Sequence, residues 1–136
     1  MQQMQSIKQL LVNIRRDVLG ECIEACALCE FACVTCADAC LGENDDRPAP
    51  IRDCVRLNLD CADVCALTGQ LISQALTAEP KLVQAQLEIC ATLCAACEAE
   101  CRRQGGMHGP CQMCAHACNR CEALCREAAI QVAQQH

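Results

Sequence analysis

The sequence almost lacks aromatic side chains: its 136 residues include no Trp or Tyr and a single Phe. Aromatic residues are common large fillers of hydrophobic cores, so a conventional core of that kind is excluded. Cysteine is abundant instead, with 18 residues. The length is that of one domain, and we expect a single Cys-rich domain over residues 1–136.

Basic residues are also few, because 11 Lys and Arg are outnumbered by 17 Asp and Glu, for a net charge of −6. They form no dense patch, which argues against nucleic acid and anionic membranes as partners.

No run of about eighteen uncharged apolar residues is present to span a bilayer. Arg15 and Arg16 interrupt the apolar residues near the N-terminus, so no secretory leader is predicted. We therefore expect a reducing cytoplasm, where clustered cysteines typically bind metal or act in catalysis.

Alternating strand patterns are absent as well, and helix breakers divide the chain. Pro48, Pro50 and Pro80 interrupt it, as does the glycine-rich stretch 105–110. The segments between these breakers are rich in Ala, Leu, Glu and Gln, which favour helix. They predict four helices, at about 20–41, 51–77, 79–104 and 110–133.

A further helical segment is predicted at about residues 4–18, with an apolar face formed by Ile7, Leu11, Ile14 and Val18. Four long helices joined by short links are typical of an antiparallel bundle. The predicted fold is therefore all-α: an antiparallel four-helix bundle over about 20–133, with the N-terminal helical segment in addition and a Cys-lined core.

The cysteines follow the core positions of these helices. Within each helix they are separated by three, four or seven residues, which is the spacing of one helix face. All eighteen therefore fall on inward-facing stripes: Cys22, Cys26, Cys29, Cys33, Cys36, Cys40, Cys54, Cys61, Cys65, Cys90, Cys94, Cys97, Cys101, Cys111, Cys114, Cys118, Cys121 and Cys125. Asn58 occupies the skipped position between Cys54 and Cys61.

Antiparallel topology should gather these thiols toward one end of the bundle. The cysteines lie in the first half of the second helix, the second half of the third and the first two-thirds of the fourth. The loops 42–50 and 105–110 should form a mouth at this end, with Met107 and His108 beside it. The residues expected to fill the opposite end are Ile72, Leu76, Val83, Leu87, Ile130 and Val132.

Two explanations without metal deserve comparison. A buried Cys can serve as a small hydrophobe, but eighteen on core positions exceed what packing requires. Disulfides are the other explanation, but cysteines four residues apart on one helix project in parallel and rarely bridge without strain, which leaves only cross-helix pairs. Metal binding is the interpretation that we favour.

Charge helps to select the metal. A Zn²⁺ site uses four thiolates and keeps a net charge of −2, which would accumulate as sites are added. A monovalent soft ion bound at about one per thiolate leaves the core near neutral, and Cu(I) is the soft ion that thiolates select. Cu(I) also accepts two or three ligands, so neighbouring cysteines of one helix can bind it and bridge to further ions.

One motif points to a different metal. The spacing C-x₃-C-x₂-C, which holds an iron–sulfur cluster in radical enzymes, recurs at 22–29, 90–97 and 114–121. That triad normally lies on a loop of a much larger barrel, whereas here it results from the spacing of core positions along a helix. An iron–sulfur or redox protein remains an alternative, as does a general soft-metal buffer for Zn²⁺ or Cd²⁺. No catalysis is expected, because the core offers only thiols and no convergent acid, base or nucleophile.

With CxxxC and CxxC pairs on four helices, no leader and a polar mouth, the chain resembles the cytosolic bacterial copper storage proteins over about residues 20–133. The resemblance implies storage of many Cu(I) ions per chain on the Cys thiolates, inside each bundle of a homotetramer in the cytoplasm. A copper chaperone or a client cuproenzyme would be a further partner.

The resemblance also implies an oxygen ligand at Asn58 and a mouth histidine, His108, that binds or admits copper. Met107 extends the stripe of the fourth helix outward and is a candidate to pass Cu(I) inward. The alternatives are a hydrogen bond in the core for Asn58, an exposed loop position for His108 and ordinary packing for Met107. His116 is expected in solvent and His136 in the tail.

Overall fold

The computed structural model describes residues 18–42, 50–74, 77–104 and 109–135. These contain four α-helices: α1 (Val18–Gly42), α2 (Pro50–Ser73), α3 (Pro80–Gln104) and α4 (Gly109–Gln135). The prediction of four helices is confirmed. The second helix ends at Ser73, four residues before its predicted end at about residue 77. A turn follows in which the backbone N–H groups of Thr77 and Ala78 donate to the carbonyl of Gln74. The segment predicted at 4–18 lies outside the described residues except for Val18.

Prolines set where three of the helices begin. Pro50 and Pro80 are the first residues of α2 and α3, and Pro110 is the second residue of α4. Proline suits the first turn of a helix because its φ is already helical and its missing N–H has no partner there. Before α3, the Glu79 carboxylate accepts a hydrogen bond from the backbone N–H of Lys81 at 3.4 Å. The residues that interrupt the chain therefore also start its helices.

The four helices pack as neighbours around a shared core. α1 packs against α2 and α4, and α3 packs against the same two helices. The α1–α4 register is antiparallel, because Cys22 lies 3.5 Å from Cys125 and Cys36 lies 3.5 Å from Cys111, measured between sulfurs. Each step forward along α1 is thus matched by an equal step back along α4.

The two ends of the bundle differ in composition. At one end, which we call the mouth, Cys40, Cys54 and Cys111 come together where α1 ends and where α2 and α4 begin. The other end is the aliphatic end, formed by the buried residues Leu19, Ile72, Val83, Leu87 and Val132.

The prediction that Ile130 fills the aliphatic end is wrong, because this residue is 59% exposed. The inward stripe of α4 passes from Cys125 through the buried Ala128 and Ala129 to Val132. Ile130 directly follows Ala129 and therefore projects outward, away from the helix face that carries this stripe. Leu76 lies outside the described residues.

By length and composition alone, α1 and α3 are long and apolar enough to cross a membrane. A helix in the core of a bundle has the same property. All the cysteines of both helices are buried among the other helices of the bundle. The hydropathy of α1 and α3 is therefore accounted for in large part by a core of thiols.

Candidate metal centre

All eighteen cysteines are free thiols, and none is more than 4% exposed. The sequence placed every one of them on an inward stripe, and the structure brings them together in one core cluster. They form a continuous chain of sulfurs, because each helix contributes a thiol about once per turn.

The sulfurs lie at contact distance both along and across the helices. Along α1, Cys29 and Cys33 are 3.9 Å apart, and across to α4 Cys29 is 3.7 Å from Cys118. Between α2 and α3, Cys61 is 3.7 Å from Cys94. A metal bound by one of these thiols is therefore always within reach of another.

The thiols also assemble into groups of four whose sulfurs all lie within 4.8 Å of one another. They include Cys26, Cys90, Cys121 and Cys125; Cys29, Cys33, Cys61 and Cys118; Cys29, Cys65, Cys94 and Cys121; Cys33, Cys97, Cys114 and Cys118; and Cys36, Cys40, Cys54 and Cys111. Each of these groups draws on three or four helices.

Neighbouring groups share members, and this sharing constrains the metal. Cys29 and Cys121 each belong to two of these groups, as do Cys33 and Cys118. The groups cannot all be filled as separate four-thiolate sites, which is what tetrahedral Zn²⁺ requires. Thiolates that bridge several ions of lower coordination number use the shared sulfurs without conflict, and Cu(I) is the soft metal that thiolates select.

Asn58 lies inside the thiol chain and is fully buried. Its Oδ1 accepts hydrogen bonds from Cys97 at 3.0 Å, from Cys114 at 3.2 Å and from Cys101 at 3.6 Å. Its Nδ2 donates to Cys54 at 3.6 Å. The residue that interrupts the cysteine stripe of α2 therefore places an amide oxygen among thiols of α3 and α4.

Near the mouth, the pKa values of neighbouring thiols are shifted in opposite directions. Hydrogen bonding to Cys101 lowers the pKa of Cys54 to about 3. Burial raises the pKa of Cys111 to about 12, and burial also raises the pKa of Cys40. These shifts favour the thiolate, the form that binds metal, at Cys54 and the protonated thiol at Cys40 and Cys111.

At the deep end of the thiol chain, hydrogen bonding to Cys125 lowers the pKa of Cys22 to about 5. Neighbouring S–H groups therefore favour the thiolate form of Cys22 as well, because a thiol donor stabilises the charged form of its partner.

Two predicted site residues, Met107 and His108, remain, and two histidines were predicted outside the site. Met107, His108 and His136 lie outside the described residues. His116 is exposed on α4, as predicted.

Two buried polar residues were not identified from the sequence. Thr68 follows Cys65 on the α2 stripe, donates to the carbonyl of Val64 at 2.7 Å and accepts from Gln86 at 3.0 Å. Its spacing of three residues from Cys65 would have revealed it. Glu100 is 3% exposed and pairs with Arg103, and only the presence of a basic residue three positions later hinted at that pair.

The chain is similar to known copper proteins. A family model described as copper storage protein matches residues 15–130. The cytosolic copper storage protein of Streptomyces lividans, with five coppers, is 42% identical with a TM-score of 0.80, over 87% of this chain and 97% of that one. The same organism's Ccsp loaded with 10 copper equivalents is 43% identical with a TM-score of 0.80, over 86% and 87%. Apo-CSP3 from Bacillus subtilis is 35% identical with a TM-score of 0.69, over 81% and 97%.

Proposed function

This chain belongs to the copper storage protein family, and we propose that it stores Cu(I) on the thiolates of its eighteen core cysteines, many ions per chain. The observation that carries the proposal is the arrangement of buried sulfurs in overlapping groups of four. A tube of thiols closed at one end by aliphatic side chains is suited to holding many soft ions and to little else.

Charge balance supports about one Cu(I) per thiol. Binding at a protonated thiol exchanges one proton for one Cu(I), and binding at a thiolate such as Cys54 neutralises its charge, so the core stays near neutral as ions accumulate. Most of the core is buried away from water, where uncompensated charge is costly. Divalent ions at four thiolates each would leave −2 at every site.

Copper would load from the mouth inward. Cys54 provides a thiolate there at neutral pH, next to Cys40 and Cys111 in one group. An ion bound at the mouth makes it easier for these two neighbours to lose their protons, because a bound cation stabilises thiolates. Ligand exchange between sulfurs within 4 Å of one another then moves ions toward Cys22.

Three further residues are proposed to assist. The Oδ1 of Asn58 already faces three thiols, and it would supply an oxygen ligand or hold the thiols in place before loading. His108 and Met107 follow α3 in sequence and precede α4, and we propose that they receive or pass Cu(I) at the mouth.

We propose a cytoplasmic protein that performs no catalysis. Free thiols in this number are compatible with a reducing compartment, and the similar protein of Streptomyces lividans is described as cytosolic. Among the described residues, the buried carboxylate of Glu100 is paired with Arg103, and the other buried polar side chains are the amide of Asn58 and the hydroxyl of Thr68. A homotetramer is the proposed assembly, with a copper chaperone or a client cuproenzyme as a further partner.

Anaerobic titration of the reduced protein with Cu(I) tests the storage proposal. Binding should saturate at roughly one ion per thiol, on the order of 18 per chain, with no visible colour. Saturation near four ions, with equal capacity for Zn²⁺, would instead support the soft-metal buffer, to which the groups of four thiols also correspond. Brown protein from iron-supplied cells would support the iron–sulfur alternative.

A matched pair of variants shows whether the thiols carry the capacity. Cys94→Ala removes one fully buried thiol and should lower the capacity by about one ion. Leu93→Ala alters the adjacent, partly buried aliphatic residue of the same helix and should leave the capacity unchanged.

A further inference from the structure

Two pairs of thiols bring α1 and α4 into sulfur contact near opposite ends of the thiol chain. At the mouth, the sulfurs of Cys36 and Cys111 lie 3.5 Å apart. At the deep end, the sulfurs of Cys22 and Cys125 also lie 3.5 Å apart. A disulfide bond in either pair would require the two sulfurs to move about 1.5 Å closer, to about 2.05 Å. The two pairs are therefore matched in distance and differ in position.

Both pairs also differ from the thiols that follow one another along a single helix. Cys36 and Cys40 are four residues apart on α1, so their side chains project in parallel and a bond between them would be strained. Cys36 and Cys111 instead approach each other from two helices that pack together. A bond between them would join two helices and would not have to distort one.

Access from solvent distinguishes the pair at the mouth from the pair at the deep end. Cys40, which belongs to one group of four with Cys36 and Cys111, is 4% exposed and is the most exposed of the eighteen thiols. Cys22 and Cys125 are 0% exposed, and the aliphatic end lies beyond them. A small solute that enters from water therefore reaches the pair at the mouth first.

We propose that Cys36 and Cys111 form a site of reversible oxidation, at which hydrogen peroxide converts the metal-free pair into a disulfide and so hinders copper loading. Peroxide fits this site because it is scarcely larger than water, whereas a peptide disulfide is too bulky for thiols that are at most 4% exposed. The thiols of a reducing cytoplasm return the disulfide to its two thiols by exchange.

Peroxide alone balances the reaction. One sulfur of the pair, as its thiolate, attacks a peroxide oxygen and the O–O bond breaks, which gives a sulfenic acid and hydroxide; the proton released by the thiol converts this hydroxide to water. The second sulfur attacks the sulfenic sulfur, the S–O bond breaks, and a second water leaves. Two thiols and one hydrogen peroxide thus give one disulfide and two waters, and two electrons pass from sulfur to oxygen.

The disulfide would form where copper enters. It removes two of the four thiols of the group at the mouth, which also contains Cys40 and Cys54, and it ties the last part of α1 to the start of α4. Ions that pass inward by exchange between sulfurs then lose two of their first ligands. This consequence rests on the proposed entry of Cu(I) at the mouth, whereas formation of the disulfide does not depend on copper.

Peptide mapping tests the site directly. The reduced, metal-free full chain is treated with about one equivalent of hydrogen peroxide, its remaining thiols are alkylated, and it is digested with trypsin. Cleavage after Arg120 separates Cys111 from Cys125, so each pair gives its own cross-linked mass with the peptide 17–52. The cross-link to the peptide of Cys111 should form at least about 10-fold faster than the cross-link to the peptide of Cys125, because oxidation follows exposure.

A matched pair of variants identifies the thiol of α1. Cys36→Ala should abolish the cross-link to the peptide of Cys111. Cys33→Ala should leave it in place, although the sulfur of Cys33 lies 3.6 Å from that of Cys114 on the same peptide. Far-ultraviolet circular dichroism of both variants checks that the helices are intact.

Copper uptake measures the consequence. After peroxide is removed, anaerobic stopped-flow loading of the cross-linked chain with Cu(I) should be at least about 10-fold slower, and the capacity should fall by about two ions per chain. A reductant should restore both. Cys111→Ala should lose about one ion of capacity, and its loading rate should be the same before and after peroxide, because it has lost one partner of the disulfide.

Three results would overturn the proposal: a Cys125 cross-link that forms as fast as the Cys111 cross-link, a Cys111 cross-link that persists in Cys36→Ala, or an unchanged loading rate in the cross-linked chain. A reduced chain that takes up far fewer than 18 Cu(I) ions but still forms the Cys36–Cys111 disulfide would overturn storage and leave the oxidation site intact.

Discussion

The mouth side of the bundle is filled by thiols, whereas the other end carries aliphatic side chains on the same inward stripes. On α3 the change falls between Leu87 and Cys90, both of which are 0% exposed. On α2 it falls between Cys65 and Ile72, with the fully buried Thr68 between them. The two regions are thus equally buried and occupy equivalent helix positions. What differs is chemistry, because an aliphatic side chain can only pack while a thiol can pack and also bind a soft ion.

Because of this difference, the aliphatic end contributes mainly to folding and the thiols contribute mainly to storage. Burying a Leu or Ile side chain contributes about 1.5–3 kcal/mol, and a thiol offers less apolar area. Without metal, the aliphatic end therefore contributes more stability per residue than the thiol region, by which we mean the eighteen cysteines and Asn58. A metal-free chain of this kind should already be folded and helical, and copper should then link helices that were only in contact.

Copper loading should give the largest effect and should act on the thiol region. With several sites filled at 100 times their dissociation constants, each contributes about 2.7 kcal/mol, so the total should exceed about 10 kcal/mol. Denaturant unfolding of loaded and metal-free protein measures the gain. Hydrogen exchange should slow most in 26–40 and 111–125, and least in 80–88. Far-ultraviolet circular dichroism should change little, and a random-coil spectrum for the metal-free form would show that metal builds the fold.

Leu87→Ala should produce the next largest effect, and it acts on the aliphatic end. The lost side chain is fully buried, so the free energy of unfolding of the metal-free protein should fall by about 2–5 kcal/mol. Cu(I) capacity should stay unchanged, because no thiol is removed. Cys90→Ala, one turn away, is the matched control and should lower the capacity with a smaller loss of stability. An equal loss of Cu(I) capacity in Leu87→Ala and Cys90→Ala would contradict the separate roles of the two ends.

The sequence was sufficient to predict the helices and the inward cysteines. The spacing of Cys22 to Cys40 by three and four residues is a periodic signal, and Cys is apolar enough to follow it into the core. Asn58 was found by the same spacing. The end of α2 was missed because the apolar period continues to Leu76, while the turn before Pro80 needs several residues that are not helical.

Other features required the three-dimensional register. The pairing of Cys29 with Cys118, and the sharing of Cys29 between two groups, depend on how α1 and α4 are aligned. The exposure of Ile130 was missed because apolar residues are expected inside, whereas a core already filled by small thiols leaves some large side chains outside. The burial of Glu100 depends on its ion pair with Arg103.

Alkaline pH should test the comparison further, because it titrates buried thiols and leaves the aliphatic side chains unchanged. Burial raises the pKa of Cys111 to about 12 and raises that of Cys40, while an unfolded Cys titrates near 8.5. Above that pH the folded state binds more protons than the unfolded state, so the free energy of unfolding falls as pH rises from about 8.5 toward 12. Urea unfolding at several pH values measures this loss.

The copper-loaded protein is the control for this pH effect, because its thiolates are already ionised and bound. Its stability should not show the same decrease. A metal-free protein whose stability is constant from pH 8.5 to 11 would contradict the assignment of raised pKa values to Cys40 and Cys111.

The smallest effect concerns the rate at which copper leaves. Cu(I) finds ligands at the mouth, where Cys40, Cys54 and Cys111 come together, and none among the aliphatic side chains of the opposite end. Ions should therefore enter and leave past Met107 and His108. Replacing both residues with Ala should change the rate of copper removal by a strong Cu(I) chelator about 2- to 10-fold, which corresponds to about 0.4–1.4 kcal/mol in the barrier. Stopped-flow transfer to the chelator measures it.

Two control variants test whether the change in the removal rate is specific to residues at the mouth. His116→Ala removes an exposed histidine from the outer face of α4 and should leave the rate unchanged. Cys22→Ala removes a thiol at the deep end, beside Cys125, and should lower the capacity slightly while the first ions to leave keep their rate. If the Met107 and His108 variant releases copper at the wild-type rate, and Cys22→Ala accelerates the first ions instead, copper passes through the aliphatic end. The division of the bundle into an open thiol mouth and a closed aliphatic end would then be wrong.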